Sequence, residues 1–306
     1  MRHLHTFVLI EAVARVGSIR KAAEDMNITA SALNRRIQRF EREFGGAIFE
    51  RLTRGVRLNP AGELVMQHYR SQRSDLARVQ SQVADLSGMR RGHVSIACSQ
   101  ALLPYFLPEQ IGRFRRDFPG VTFSVNVRDR ANAEQDLASF NSDLALVFEP
   151  MHLVDFDVIH SIPQPVFAMF SRDHALAGKR ELRLRDCLAH DHIVPQASFG
   201  VRHILDIGCK RISRQLAPVL ETDSFELIRR YVLYEGVVGF QIPIALQAST
   251  MPTLILREIS SRDMPTGHLL LGQLKGRALP VATSRFATQL IHALEEVHQG
   301  MQAAAQ

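Results

Sequence analysis

Apolar side chains recur at helical spacing over residues 4–26 and are interrupted where turns are needed. The first predicted helix ends at Gly17 and buries Leu4, Phe7, Ile10, Val13 and Ala14. Ser18 is a good N-cap for a short second helix over residues 19–26. Asn27 is then expected to turn the chain.

A third helix is predicted after Thr29, another good N-cap. Its apolar residues are spaced to form one buried stripe of Leu33, Ile37, Phe40 and Phe44. The opposite face carries Ala30, Ser31, Asn34, Arg35, Gln38 and Arg39. Small side chains let a helix approach base edges in the major groove, and Asn and Arg can read adenine and guanine with paired hydrogen bonds. This division of faces predicts a helix-turn-helix, although three-helix bundles that bind no DNA share the pattern.

A short hairpin is predicted after the third helix. Gly45 and Gly46 end that helix, and residues 49–51 and 56–58 have the pattern of two short strands. The connection between them holds Arg54, which could reach a phosphate or the narrow minor groove. Such a hairpin is typical of a wing and therefore favours the winged helix-turn-helix over a simple bundle.

The charge distribution fits a nucleic-acid partner for this region. The chain has 306 residues and a formal net charge of +6, and residues 1–60 carry eleven Arg or Lys against six Asp or Glu. Cationic side chains that neutralise phosphates supply most non-specific affinity for DNA. Charge alone leaves open a solvated basic face that has no ligand.

Residues 61–87 predict one long helix, with Asn59 as its cap and Pro60 at its first position. At about 1.5 Å per residue it would span roughly 40 Å. A mainly apolar seam runs along it, with residues spaced alternately four and three apart. The seam comprises Val65, Tyr69, Gln72, Leu76, Val79, Val83 and Leu86. The seam predicts that two copies of the chain pair through this helix, and packing on its own domain is the alternative. Gly88 and Gly92 are expected to form a hinge.

From residue 93 onward, short apolar runs alternate with helical patterns, which predicts an α/β fold with a largely parallel sheet. The first set of strands and helices is expected at 94–98, 105–117, 121–127, 132–140 and 144–148. A second set follows over 166–241, and a strand at 269–272 and a helix at 281–298 rejoin the first set. Two α/β lobes joined by two crossings make a cleft, where ligands bind at the carboxyl ends of strands.

The run from Phe7 to Gly62 closely resembles the N-terminal DNA-binding domain of LysR-type transcriptional regulators. The specific elements are Gly17-Ser18, Ala22-Ala23, the 33–37 stretch, Leu52 after the 49–51 strand, and Ala61-Gly62. The resemblance extends over the whole chain but is strongest here. The family often has Gln and Pro where this chain has Ala30 and Ser31, so a preference for one operator sequence does not transfer.

The resemblance implies three regions. Residues 1–60 would be an all-α winged helix-turn-helix, 61–90 a linker and dimerisation helix with a hinge, and 91–306 a two-lobed, periplasmic-binding-protein-like effector domain. Lobe I would cover 91–163 and 267–306, and lobe II would cover 164–266. The candidate DNA contacts are Ser18, Thr29, Ala30, Ser31, Asn34, Arg35, Gln38, Arg39 and Arg54.

Effector contacts in this family cluster after the first strand of the domain and on the facing lobe. The matching positions here are Ser99, Gln100, Arg130, Phe148, Gln196, Ser198, Phe199 and Arg202. The first two could hold an anion at a helix start or could simply cap the helix. The two arginines could clamp a carboxylate or serve the structure, and the two phenylalanines fit either an apolar part of a ligand or core packing. A small organic anion is the favoured effector.

Enzymatic and metal chemistry have little support. The chain has no phosphate loop, dinucleotide fingerprint, serine nucleophile elbow or zinc-protease motif, so neither catalysis nor a cofactor is predicted. The histidines at 190 and 192 and at 3 and 5 lack further ligands at useful spacing, so no metal site is predicted. Cys98, Cys187 and Cys209 are expected to be buried thiols rather than a disulfide framework or a redox pair.

The sequence therefore predicts a cytoplasmic transcriptional regulator, since neither a secretory signal nor a membrane span is recognisable. Its expected partners are double-stranded promoter DNA, a small-molecule effector, RNA polymerase and further copies of itself, as a dimer and, by resemblance, a tetramer. A small-molecule binding protein or transporter subunit on the same two-lobed fold would explain residues 93–306 equally well, but it does not explain the first 60. An enzyme of unknown type is the third alternative.

Overall fold

The computed structural model describes residues 4–86, 91–246 and 253–305. The chain divides into two packed units, Met1–Ala77 and Arg78–Gln306, and each has a hydrophobic core of its own. Gly88 of the expected hinge and the histidine at position 3 lie outside the described residues, as does the side chain of Leu86.

Three helices and a hairpin form the first unit. The elements are α1 (Leu4–Val16), α2 (Ile19–Asp25), α3 (Ala30–Phe44), β1 (Phe49–Arg51) and β2 (Val56–Leu58), with the two strands antiparallel. Both predicted caps are confirmed: Ser18 Oγ accepts from the Lys21 amide at 3.4 Å, and Thr29 Oγ1 accepts from the Ala32 amide at 3.2 Å. The helices and both wing strands therefore begin and end within about a residue of their predicted limits, because capping chemistry is local to the sequence.

The apolar stripe of α3 packs into the core of this unit, with one exception. Leu33, Ile37 and Phe40 are buried as predicted. The prediction for Phe44 is wrong, because this side chain is 55% exposed. Phe44 is the last residue of α3 and stacks on Phe40 with ring centroids 5.5 Å apart, so it lies at the margin of the core.

The long helix α4 (Pro60–Leu86) has the predicted length, and its cap is formed by Asn59, whose side-chain oxygen accepts from the Gly62 amide at 2.8 Å. Its apolar seam divides into two parts. Val65 and Tyr69 are buried in the core of the first unit, so at these two positions the structure favours the alternative, in which the helix packs on its own domain. Leu76, Val79 and Val83 are exposed.

The first lobe of the second unit is built on a five-stranded mixed sheet in the order β4-β3-β5-β12-β6. Its strands are β3 (Arg91–Cys98), β4 (Gly120–Val127), β5 (Leu144–Phe148), β6 (Phe156–Gln164) and β12 (Gly267–Leu274). Its helices are α5 (Phe106–Asp117), α6 (Arg130–Ala138) and α10 (Val281–Ala305). β3 runs parallel to β4 and β5, whereas β12 runs antiparallel to β5 and β6, so the expected largely parallel sheet is mixed instead.

The second lobe contains two smaller sheets. The strands are β7 (Phe167–Ser171), β8 (Ile193–Pro195), β9 (Leu220–Thr222), β10 (Gly239–Gln241) and β11 (Leu254–Glu258). The helices are α7 (Leu184–Cys187), α8 (Gly200–Arg211) and α9 (Phe225–Glu235). β7 is the centre of an antiparallel sheet in the order β10-β7-β11, and β8 pairs parallel with β9. The sequence pattern did not reveal β6, β11 or α7.

Candidate DNA interface and effector cavity

The face of α3 opposite the core is open to a ligand. Ala30, Ser31, Arg35, Gln38 and Arg39 are exposed, and Asn34 is half-buried. The helix therefore presents small residues in its first turn and hydrogen-bonding or cationic residues along the next two turns, as predicted for a helix that enters a major groove.

The hydroxyl groups at the helix starts are engaged in capping. The Thr29 hydroxyl lies 3.2 Å from the Ser31 hydroxyl in addition to its bond to the Ala32 amide, and Ser18 caps α2. A hydroxyl has one donor and two acceptor positions, so each can cap its helix and still donate a hydrogen bond to a phosphate oxygen.

The cations of this unit differ in how far their charge is balanced. Arg39 forms an ion pair with Glu43 at 2.8 Å. Within the described part of the first unit, by contrast, neither Arg35 nor Arg54 forms an ion pair. Arg54 lies in the exposed connection between β1 and β2. These two charges are therefore available to an anionic partner.

The wing is fixed against the turn between α1 and α2. The Val56 amide donates to the Gly17 carbonyl at 2.9 Å, and a Cβ on Gly55 would lie 2.3 Å from that carbonyl oxygen. Gly55 also has a φ of +96°, which favours glycine. Glu41 of α3, which sequence analysis missed, accepts from the Ile48 amide at 2.9 Å and so holds the start of the hairpin. Arg54 is thus carried by a positioned hairpin rather than a loose loop.

In the second unit, Gln100 joins the two lobes. Ser99 and Gln100 follow β3, and the Ser99 hydroxyl accepts from the Ala101 amide at 3.4 Å. The side-chain oxygen of Gln100 accepts a hydrogen bond from the Phe225 amide, at the start of α9 in the second lobe. Phe199 packs against Phe225 with ring centroids 5.3 Å apart, so three residues from different segments meet here.

The other predicted effector residues have varied settings. Gln196 and Ser198 are exposed after β8. Arg130, the first residue of α6, donates from Nε to the Glu149 carbonyl oxygen, and burial lowers the pKa of its guanidinium.

The surroundings of Phe148 and Arg202 indicate that both side chains stabilise the fold. Phe148 is 2% exposed, and a Cβ on Gly267 would meet its ring at 2.2 Å, so its placement favours the core-packing alternative. Arg202 pairs with Asp206 at 3.0 Å and with Glu221 at 2.7 Å, which favours the structural alternative. Two acidic neighbours already balance its charge, so it is poorly suited to clamp a carboxylate.

A cavity of about 460 Å³ lies between the lobes beside Gln100. Its apolar lining consists of Ala101, Leu103, Pro104, Tyr105, Met169, Phe225, Ala245 and Leu246. Its polar lining consists of Gln100, Ser224, Glu226, Arg229 and Gln241. Of these residues only Gln100 was predicted as an effector contact. Ser224 and Gln241 lie at the carboxyl ends of β9 and β10, so the rule that ligands bind at these ends could have indicated them.

The three cysteines are buried thiols, as predicted. Burial raises the pKa of Cys98 and of Cys187 to about 12 and that of Cys209 to about 11. Since the thiolate is the reactive form, these thiols are poorly reactive at neutral pH. Among the described residues, no group of three or more His, Cys, Asp or Glu side chains is arranged to hold a metal ion.

Comparison with known proteins agrees with both units. A model of the family described as "Bacterial regulatory helix-turn-helix protein, lysR family" matches residues 1–63, and one described as "LysR substrate binding domain" matches residues 87–295. The chain belongs to the LysR family of DNA-binding transcriptional regulators, and its second unit is the effector-binding domain of that family.

Individual relatives resemble most of the chain. The HTH-type transcriptional activator CmpR of Synechocystis sp. is 26% identical over 257 residues, which cover 83% of this chain and 84% of the relative. A full-length OxyR variant from Pseudomonas aeruginosa has a similar fold, with a TM-score of 0.68 at 17% identity over 95% of this chain and 94% of that one. Full-length CbnR in complex with its target DNA gives a TM-score of 0.64 at 14% identity over 95% and 99%.

Within the described residues, no helix has both the length and the apolar character needed to cross a membrane.

Proposed function

We propose that the chain reads promoter DNA with α3 in the major groove and with Arg54 of the wing at the neighbouring backbone or minor groove. The proposal rests on the exposed polar face of α3, opposite the buried Leu33, Ile37 and Phe40, together with two cations that no described acid balances. In this arrangement Asn34 and Gln38 address base edges, whereas Arg35, Arg39 and Arg54 address phosphates. Ser18, Thr29, Ala30 and Ser31 contact the DNA at the helix starts.

The test is a fluorescence anisotropy titration with labelled promoter DNA at several salt concentrations. Because neutralised phosphates release counterions, the logarithm of the association constant should fall steeply and linearly with the logarithm of salt concentration. A flat salt response would contradict the proposal.

We further propose that two chains pair through the second half of α4 and that pairs assemble into a tetramer. Leu76, Val79 and Val83 are exposed at spacings of three and four, which places them along one face of the helix. Pairing would bring two recognition helices to two half-sites on the DNA. Val79→Asp should lower the sedimentation coefficient of the protein at micromolar concentration, whereas Val219→Asp, at a second exposed valine, should leave it unchanged.

The effector is proposed to bind between the lobes of the second unit. Gln100 links both lobes, and the adjoining cavity is lined by both, so a ligand there would favour one arrangement of the lobes over others. Ser99, Arg130, Gln196, Ser198 and Phe199 remain predicted contacts around this cleft. The protein would act in the cytoplasm by binding rather than catalysis, and the change in lobe arrangement would alter its contacts with promoter DNA and RNA polymerase.

A further inference from the structure

We propose that the cavity beside Gln100 binds an uncharged, largely apolar small molecule that presents hydrogen-bond acceptors, such as an ester, a lactone or an amide. The inference rests on the proposed function, that an effector binds between the lobes, and it names the chemical class of that effector. It replaces the organic anion that the sequence favours.

The apolar walls set the general character of the ligand. Leu103 and Tyr105 from the first lobe face the same cavity as Met169, Phe225 and Leu246 from the second. A volume of about 460 Å³ is in the range of small-molecule sites, which are typically lined by apolar and aromatic side chains with a few polar groups.

The charges in the lining balance each other. Glu226 and Arg229 are the charged residues among those that line the cavity, and Arg229 binds Glu226 with two hydrogen bonds of 2.8 and 2.6 Å. Arg230 also pairs with Glu226, at 2.8 Å. A carboxylate in the cavity would therefore find no unpaired cation among the lining residues, because Arg229 is already bound to Glu226. Burying a charge without a partner is strongly unfavourable.

Glu226 remains ionised at neutral pH, since its hydrogen bonds with Arg229 and Arg230 lower the pKa of its carboxyl group. The pair with Arg229 is therefore maintained across the ordinary pH range.

The uncharged polar side chains of the cavity lining can donate hydrogen bonds to a ligand. The side-chain oxygens of Gln100, Ser224 and Gln241 accept hydrogen bonds from the amides of Phe225, Leu227 and Ile242 respectively. A backbone N–H fixes each of these oxygens as an acceptor. The side-chain NH₂ groups of the two glutamines and the hydroxyl hydrogen of Ser224 therefore remain as donors for a ligand. Throughout the described part of the chain, no group accepts a hydrogen bond from these three donors.

The three residues that carry these donors line the cavity from both lobes. Gln100 belongs to the first lobe, whereas Ser224 and the 5% exposed Gln241 belong to the second. A ligand with acceptor oxygens can satisfy all three, and a donor-rich ligand such as an ammonium compound cannot. Acceptor groups on an apolar and uncharged skeleton therefore match the cavity.

The first experiment uses the full-length protein and a library of small aromatic and aliphatic carboxylic acids, each with its methyl ester and primary amide. Thermal shift and isothermal titration calorimetry at pH 7 measure binding. We expect esters or amides to raise the melting temperature and their parent acids to bind at least about tenfold more weakly. Equal or tighter binding of the acids would overturn the inference. If no compound binds while promoter binding stays salt-dependent, the inference fails and the proposed function stands.

The second experiment places the ligand with matched variants. Gln241→Glu and Gln100→Glu keep an oxygen for the backbone amide but remove the NH₂ donors. Ser224→Asp and Ser224→Asn both keep an oxygen that can cap α9, yet only Asn retains a donor. We expect Gln241→Glu and Ser224→Asp to weaken ester binding by at least about tenfold and Ser224→Asn by less than about threefold.

Folding of the second unit is monitored by chemical denaturation in the absence of ligand, because all three substituted positions lie in that unit. Equal losses for Ser224→Asp and Ser224→Asn, with the denaturation midpoint of the second unit unchanged, would show that the hydroxyl donor is not used and would overturn the assignment.

Discussion

Two arginines on the surface of the first unit proposed to face DNA contrast with three ion-paired arginines of the second unit. In the first unit, Arg35 and Arg54 are exposed and form no ion pair among the described residues. In the second unit, Arg202 is held by two acids and Arg229 by one, and the Arg183 side chain binds the buried Asp263. The surroundings of a cation therefore decide what it can do, because an unbalanced charge remains available to a polyanion and a balanced one stabilises the fold.

The largest effect is expected at Phe148, where a substitution distinguishes a role in the hydrophobic core from a role as an effector contact. Phe148→Ala should lower the free energy of unfolding of the second unit by about 3–5 kcal/mol, because a buried ring is removed from beneath Gly200 and Gly267. Chemical denaturation of the full chain measures it. Phe44→Ala, at an exposed ring, is the control and should cost much less. A stability close to that of the unaltered protein would return Phe148 to the list of effector contacts.

The next largest effect is expected on DNA affinity when an arginine without an ion pair is removed. Arg54→Ala should weaken binding to all DNA sequences about tenfold and reduce the slope of the salt dependence by about 1, since one phosphate contact is lost. Arg202→Ala, the matched control from the second unit, should leave DNA affinity unchanged in anisotropy titrations. If both variants lose affinity equally, the distinction between balanced and unbalanced arginines does not hold.

A smaller effect is expected for base reading. Asn34→Ala should relax the preference for one base pair by about 1 kcal/mol, roughly fivefold, while non-specific affinity stays nearly constant, because Asn34 is proposed to contact a base edge rather than a phosphate. Binding to a set of singly substituted operators measures this preference. A uniform loss over all operators would instead assign Asn34 to the backbone.

The smallest effect concerns the partly balanced Arg39. Glu43→Gln removes its partner at 2.8 Å and should raise DNA affinity by roughly twofold at low salt, because an exposed pair of this spacing is worth about 0.3–0.5 kcal/mol. Glu24→Gln, which frees Arg20 of α2, is the matched control and should have a lesser effect. An identical gain from both would indicate a general charge effect rather than a contact by Arg39.

Much of the candidate DNA interface could be predicted because its determinants are close in sequence. Thr29 caps α3 through an amide three residues away, and the stripe of Leu33, Ile37 and Phe40 follows from helical periodicity. Phe44 shows the limit of this reasoning. The helix pattern includes it, but whether other residues cover the end of a helix depends on the tertiary structure.

The effector cavity could not be predicted in the same way. Its lining comes from segments more than a hundred residues apart, and Gln100 meets the start of α9 only after both lobes have folded. Glu221, the distant partner of Arg202, likewise becomes evident only when β9 lies beside α8. Sequence periodicity contains no information about which distant side chains will share a cavity.

By itself the sequence determined the helices and wing of the first unit, the length of α4 and the exposed face of α3, because caps, turns and periodicity act within a few residues. Only the tertiary structure decided that Val65 and Tyr69 belong to a core and that β12 runs antiparallel in the sheet of the first lobe. It also decided that Arg202 pairs with Glu221 and Arg183 with Asp263. These features depend on contacts between distant segments, which the free energy of packing selects only when the whole chain folds.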